Sequence, residues 1–190
     1  MKYQLISFLI LFCIVLQACN HCEKVSLNDT DKAWVAHFTK GQVFIFKDLK
    51  GQVDSLEVVD IQNLLTPCNK IELSMNQFEK YCVLFIFKSK SNYNNIESSI
   101  CVTTESWKKR IPYIYIGNLG PHRNDVENII PTPIDTTLAG KHFTSVYQYS
   151  KDLNTEQYGE IEAFKGFYWD KQVGLVAYET SKGEFFMRIN

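Results

Sequence analysis

The sequence predicts a mainly β protein: a single antiparallel β-rich domain, either a sandwich or a strongly curved sheet, with little helix. Three observations point there. Aromatic residues reach 14% of the 190-residue chain, with thirteen Phe, ten Tyr and three Trp, and such side chains pack well on a pleated surface. Short apolar runs recur between turn-forming residues from Val43 to the C-terminus. No segment sustains the i, i+3, i+4 apolar stripe of an amphipathic helix. With 45% hydrophobic and 22% charged residues, the composition is that of a folded globular chain. The length fits one domain.

The elements follow in order. Glu23 to Lys32 is polar and reads as the end of a tether that runs from residue 19 to 32. Trp34 to Phe38 is the first apolar patch, a strand or one helical turn. Val43–Phe46 and Val53–Val59 flank Asp48-Leu49-Lys50-Gly51, which predicts a hairpin, although the second arm does not mark its inward face clearly. Ile71–Ser74 alternates cleanly. Tyr81–Phe87 (YCVLFIF) is the most apolar run after the N-terminus and predicts a central strand buried on both faces. Ser99–Thr104 and Ile111–Ile116 predict two further strands. Asn118–Gly140, with three prolines, is the longest irregular stretch. Phe143–Tyr149 predicts a strand with Phe143, Ser145, Tyr147 and Tyr149 on one face. The C-terminal third then reads as a meander of Ile161–Phe164, Phe167–Trp169, Leu175–Tyr178 and Phe185–Ile189.

The first 18 residues have the form of an export signal. Lys2 is a short positive region, and Leu5 to Leu16 is an apolar run too short to cross a bilayer, which takes about 20 such residues. The run ends in Leu16-Gln17-Ala18-Cys19, which resembles the bacterial lipobox. That resemblance implies that diacylglycerol is attached to the Cys19 thiol and that the chain is cut before it. Acyl chains such as palmitate then hold the protein on a membrane. It divides the chain into a signal peptide (1–18), a lipidated Cys with its tether (19–32) and a β-rich domain (33–190). Asn20, rather than Asp, follows Cys19. By the best-known Gram-negative sorting rule this implies the outer membrane, on a face left open.

Cys13 leaves with the signal and Cys19 is taken by lipid. Cys22, Cys68, Cys82 and Cys101 remain, and an exported protein sits where disulfides persist. Four cysteines allow three connectivities, and buried free thiols are the alternative. Cys19-Asn20-His21-Cys22 has C-x-x-C spacing, but a thioether at Cys19 spoils it as a metal site. No metal or cofactor is expected.

The segment from Phe167 to Glu179, with Lys182 to Arg188, is similar to the C-terminal strands of small uncharacterised lipoproteins of the Bacteroidota. An aromatic strand, a basic turn, a Gly-Leu-Val run and a Gly turn before an aromatic-Arg strand recur in these. The similarity covers about a quarter of the chain. It implies a β-rich cell-envelope protein and carries no site residues with it.

Function classes narrow from here. Lys2 is the only charged residue ahead of Cys19, so the remainder carries 19 basic against 21 acidic residues. That balance gives no electrostatic footprint for nucleic acid. In the 118–140 loop, His122, Arg123, Asp125 and Glu127 are candidates for an anionic or hydrogen-bonding ligand, with a solvated loop face as the simpler reading. Glu160 and Glu162 share a strand face, and Lys108-Lys109-Arg110 is a small basic cluster. Both read more simply as solvated. Trp107, Tyr113, Tyr115, Tyr147, Tyr149, Tyr168 and Trp169 form either a binding platform or, as aromatics at strand spacing usually do, core and cross-strand pairs. The leading expectation is a non-enzymatic, lipid-anchored envelope protein that binds an envelope partner or small ligand, or has a structural role. A carrier of an apolar ligand inside a curved sheet, and a hydrolase built around His122, are the alternatives.

Overall fold

The computed structural model describes residues 23–66, 76–88, 97–104, 112–117, 119–121, 131–150, 155–157 and 164–190. In chain order the elements are β1 (Glu23–Val25), α1 (Asp29–Lys32), β2 (Val43–Asp48), β3 (Val53–Leu65), β4 (Asn76–Phe87), β5 (Glu97–Thr103), β6 (Pro112–Tyr115) and β7 (Leu119–Pro121). They continue with β8 (Ile134–Leu138), β9 (Lys141–Ser150), β10 (Thr155–Gln157), β11 (Phe164–Asp170), β12 (Gly174–Thr180) and β13 (Phe185–Arg188). The protein is mainly β, as the sequence predicts.

Eleven strands form one sheet. Its order is β6-β5-β4-β3-β2-β13-β12-β11-β9-β8, antiparallel throughout, with β1 added parallel to β4. β7 and β10 make a separate antiparallel pair. Two meanders are therefore joined where the last strand, β13, pairs with β2.

Turns are set by side chains that take up backbone donors. Asp48 Oδ1 accepts from the N–H groups of Lys50 and Gln52, closing the β2–β3 hairpin. Asp170 Oδ1 does the same for Gln172 and Val173 between β11 and β12. Asn28 and Asp31 form a reciprocal capping box that starts α1.

The sheet curls until its two halves face each other. β4 and β11 are separated in the order by β3, β2, β13 and β12. Yet the Phe87 ring lies 5.0 Å from Phe164, and Phe85 lies 6.4 Å from Trp169. Phe46, Phe87, Phe164 and Phe186 surround Tyr178 at 5.1–5.3 Å. The end of the curled sheet beside α1 is filled by Trp34, Val35 and Phe38, all buried. The Phe38 ring packs against Phe44, Phe85 and Trp169.

Several local readings differ from the structure. Residues 23–32 are not a free tether: β1 pairs with β4, Leu27 is buried, and α1 follows. β3 runs on to Leu65 through a bulge between Val58 and Asp60; before the bulge Asp54, Leu56 and Val58 are its buried face, and the charged Asp54 is what obscures that face in the sequence. β7 and β8 lie inside the stretch read as irregular; β8 (IDTTL) carries too few apolar residues to announce itself. In β9, Ser145 sits at φ +60° beside a register shift, and this breaks the expected single-face alternation.

β11 also passes straight through Lys165-Gly166, where the sequence suggests a break. A Cβ at Gly166 would lie 2.8 Å from the Tyr149 carbonyl oxygen. Glycine lets β9 approach closely there, and the strand bulges instead of stopping. The strand read from Ile71–Ser74 and the start of the one read from Ile161–Phe164 lie outside the described residues.

Candidate functional site

Of the residues singled out by the sequence, Cys82 and Cys101 come together. They face each other across β4 and β5, Cα atoms 4.1 Å apart, and form a disulfide. Cys19, Cys22, Cys68, His122, Arg123, Asp125 and Glu127 lie outside the described residues, as do Trp107 to Arg110, Glu160 and Glu162. The aromatic set divides. Tyr149 and Trp169 are buried in the core, and Tyr147 packs on Trp34 at 4.9 Å. Tyr113 and Tyr115 alternate with the buried Ile114 and so stand on the outer face of β6.

That outer face carries a groove. Leu84 and Ile86 point away from the core and are half-buried, not fully covered as the apolar run of β4 suggests. Register sets Leu84 beside Ser99 and Tyr115, and Ile86 beside Glu97. With Val59 from the β3 bulge, these residues line a half-open cavity of about 320 Å³. Its apolar floor fits one ring or a short chain, while Ser99 and Glu97 offer hydrogen bonds at its side.

A second feature lies where the N-terminal segment meets the sheet. β2 pairs with β3 only as far as Glu57, so within the described residues Ile61–Leu65 pair with β4 alone. β4 meanwhile meets β1 at Asn76–Phe78 and β5 from Lys80 onward. The result is an arm of β1, β4 and β3. Glu79 is buried within it and ties it together. Its Oε2 accepts from the Leu27 N–H at 2.8 Å, and Lys32 Nζ stands 3.7 Å from Oε1. The Glu79 carbonyl accepts from the Thr104 N–H, and the Thr104 hydroxyl donates to the Val25 carbonyl. Burial pushes the Glu79 pKa up, but the Leu27 N–H, Lys32, Asn63 and Lys24 together outweigh it and hold the carboxyl below its ordinary range.

Three other titratable groups sit toward the two ends of the curled sheet, Asp54 and Tyr178 buried at one and His37 half-buried at the other. Asp54 Oδ2 accepts from the Tyr178 hydroxyl at 2.5 Å, and Oδ1 accepts from the Ser55 N–H. Burial raises the Asp54 pKa, and the two hydrogen bonds only partly offset it. Burial also pushes the Tyr178 hydroxyl far above its usual range, helped by the Asp54 charge. At the other end, burial lowers the pKa of the half-buried His37, whose ring lies 4.0 Å from that of Phe38. Among the described residues, no three His, Cys, Asp or Glu side chains are grouped to hold a metal ion. None of the described helices is long and apolar enough to cross a membrane.

No protein-family model, curated protein or solved structure matches this chain.

Proposed function

We propose that the chain is a lipid-anchored cell-envelope protein, joined to the outer membrane through Cys19, that acts by binding or as a structural component and not by catalysis. The observation that supports this best is the Glu79 contact. It fixes Leu27 and the preceding strand β1 to the sheet, so the described fold reaches back to Glu23, four residues after Cys19. At no more than about 3.6 Å per residue, that link spans at most roughly 14 Å. A lipid on Cys19 then holds the body close against the bilayer surface. Two or three acyl chains, at about 0.8 kcal/mol per buried CH₂, make such an attachment stable.

Metabolic labelling with palmitate tests this. The wild-type chain is expected to take up label and to fractionate with the outer membrane, and Cys19→Ser to accumulate as unlabelled precursor. Equal label in both proteins would contradict the reading.

A second reading, carriage of a small apolar ligand, is favoured by the outer groove and not by the interior, where Phe46, Phe87, Phe164 and Tyr178 fill the described core. The apolar dye N-phenyl-1-naphthylamine should then give a saturable fluorescence rise that Leu84→Glu abolishes. An equal rise with both proteins would remove this reading.

A further inference from the structure

The outer groove has an apolar floor bordered by carboxylates. Strand register sets Asp60 level with Leu84, Ser99 and Tyr115 in one row, and Ile86 between Glu57 and Glu97 in the next. Two of these three acids are already neutralised. Lys88 Nζ pairs with Glu57, and Lys40 Nζ stands 3.1 Å from Asp60. Among the described residues no basic side chain pairs with Glu97, and Glu97 lines the groove with Val59, Leu84, Ile86, Ser99 and Tyr115. The Tyr115 ring is a fixed wall. A Cβ at Gly120 would lie 2.3 Å from its Cδ1, so the β7 backbone runs directly against that ring.

From this arrangement we propose that the groove binds a small organic monocation, a primary amine carried on one ring or a short carbon chain. The inference deepens the ligand-carrier reading and rests on it. The apolar part of the ligand lies on Leu84 and Ile86 beside the Tyr115 ring. Its ammonium group donates to the Glu97 carboxylate and to the Ser99 hydroxyl, which is two residues along β5 and so on the same face. Size and charge select this occupant. A cavity of about 320 Å³ is at the small end of ligand sites, which run from roughly 300 to 1,000 Å³. Glu97 is the one charge at the groove left without a counterion among the described residues. A neutral ligand seated on the floor would take water from that carboxylate and return no partner, and an anion would be repelled by it. A single cation removes both costs.

The test follows backbone amide chemical shifts of the isotope-labelled full-length chain during titration with phenethylamine and, separately, with phenethyl alcohol, a neutral compound of the same shape. The amine is expected to bind about fivefold more tightly, the upper range for an ion pair open to solvent, with its largest shifts at Leu84, Ile86 and Ser99. Glu97→Gln should bring the amine down to the affinity of the alcohol and leave the alcohol unchanged. Raising sodium chloride from about 0.05 to 0.5 M should narrow the preference in the wild-type chain. If N-phenyl-1-naphthylamine binds saturably but the amine binds no better than the alcohol, or not at all, the cation preference falls and the carrier reading stands. A preference that survives Glu97→Gln, or shifts centred away from the groove, also overturns the inference. So does tighter binding of Nα-acetyl-lysine methylamide than of phenethylamine, in favour of a lysine borne by a protein partner. Failure of the dye, the amine and the alcohol to bind removes the carrier reading and this inference together.

Discussion

At the scale of single residues, two buried carboxylates pull stability in opposite directions with pH. Glu79 has a folded-state pKa below its ordinary value. Its contribution is fully present above the ordinary carboxylate range and is lost as pH falls through the depressed value. Asp54 has a folded-state pKa above its ordinary value, because burial disfavours its charge. Its contribution is present below the ordinary range and is lost as pH rises through the elevated value. Chemical denaturation between pH 3 and 8 should therefore show wild type losing ground to Glu79→Gln on acidification and gaining ground on Asp54→Asn. Parallel curves for wild type and Asp54→Asn would contradict the burial assigned to Asp54. Tyr178→Phe removes the hydroxyl that donates to Asp54 and leaves a buried oxygen without that partner. It should cost about 1–3 kcal/mol, read as a lower midpoint in urea, and the loss should shrink in the Asp54→Asn background.

None of this was legible in the sequence. Asp54 and Tyr178 are 124 residues apart, and no spacing rule links them. The same holds for Glu79 and the Leu27 N–H, 52 residues apart. Cys82 and Cys101 were legible as candidates, and only strand register selects that pair from the pairings four cysteines allow.

At the scale of elements, alternation and turn chemistry revealed most of the strands. The hairpin of β2 and β3, strands β4 to β6, and the meander of β12 and β13 all follow apolar runs and their punctuating residues. What stayed hidden was polar structure held by tertiary contacts. β1 (EKV) and α1 (DTDK) have no apolar face of their own, and they are fixed by the parallel ladder to β4 and by Glu79. β8 is hidden for the same reason.

The plug at the α1 end gives a direct test of packing between elements. Gly174 opens β12 at φ +86°, and a Cβ there would meet the Phe38 ring at 2.8 Å. Gly174→Ala is thus strained in backbone and overpacked at once. It should lower stability by about 1–3 kcal/mol, and Phe38→Leu in the same chain should recover part of that loss. The disulfide makes a second test. It closes a separation of 19 residues between β4 and β5, which in the chain-entropy description contributes about 3 kcal/mol. Cys82→Ala with Cys101→Ala should lower the thermal midpoint by several degrees while leaving the far-ultraviolet spectrum β-rich. An unchanged midpoint would mean that the bridge adds nothing to the fold.

At the scale of the whole molecule, closure depends on the last strand. β13 joins the two meanders by pairing with both β12 and β2, and the Asn190 side chain extends that ladder by bonding the Ile45 N–H and the Val43 carbonyl. Deletion of residues 185–190 should therefore abolish cooperative unfolding rather than merely weaken it, as followed by calorimetry. A truncated chain that still melts in one sharp transition would contradict this. The mainly β class was legible from aromatic content and run length. The curl was not, because it arises from contacts such as Phe87 with Phe164 between strands far apart in the order.

The proposed membrane attachment depends on Cys19. Intact-mass spectrometry of the protein extracted from the outer-membrane fraction tests it most directly. The expected species begins at Cys19 and carries the added mass of diacylglycerol, with or without a further acyl chain on its amino group. A soluble polypeptide running from Met1 to Asn190 with no added mass would contradict it.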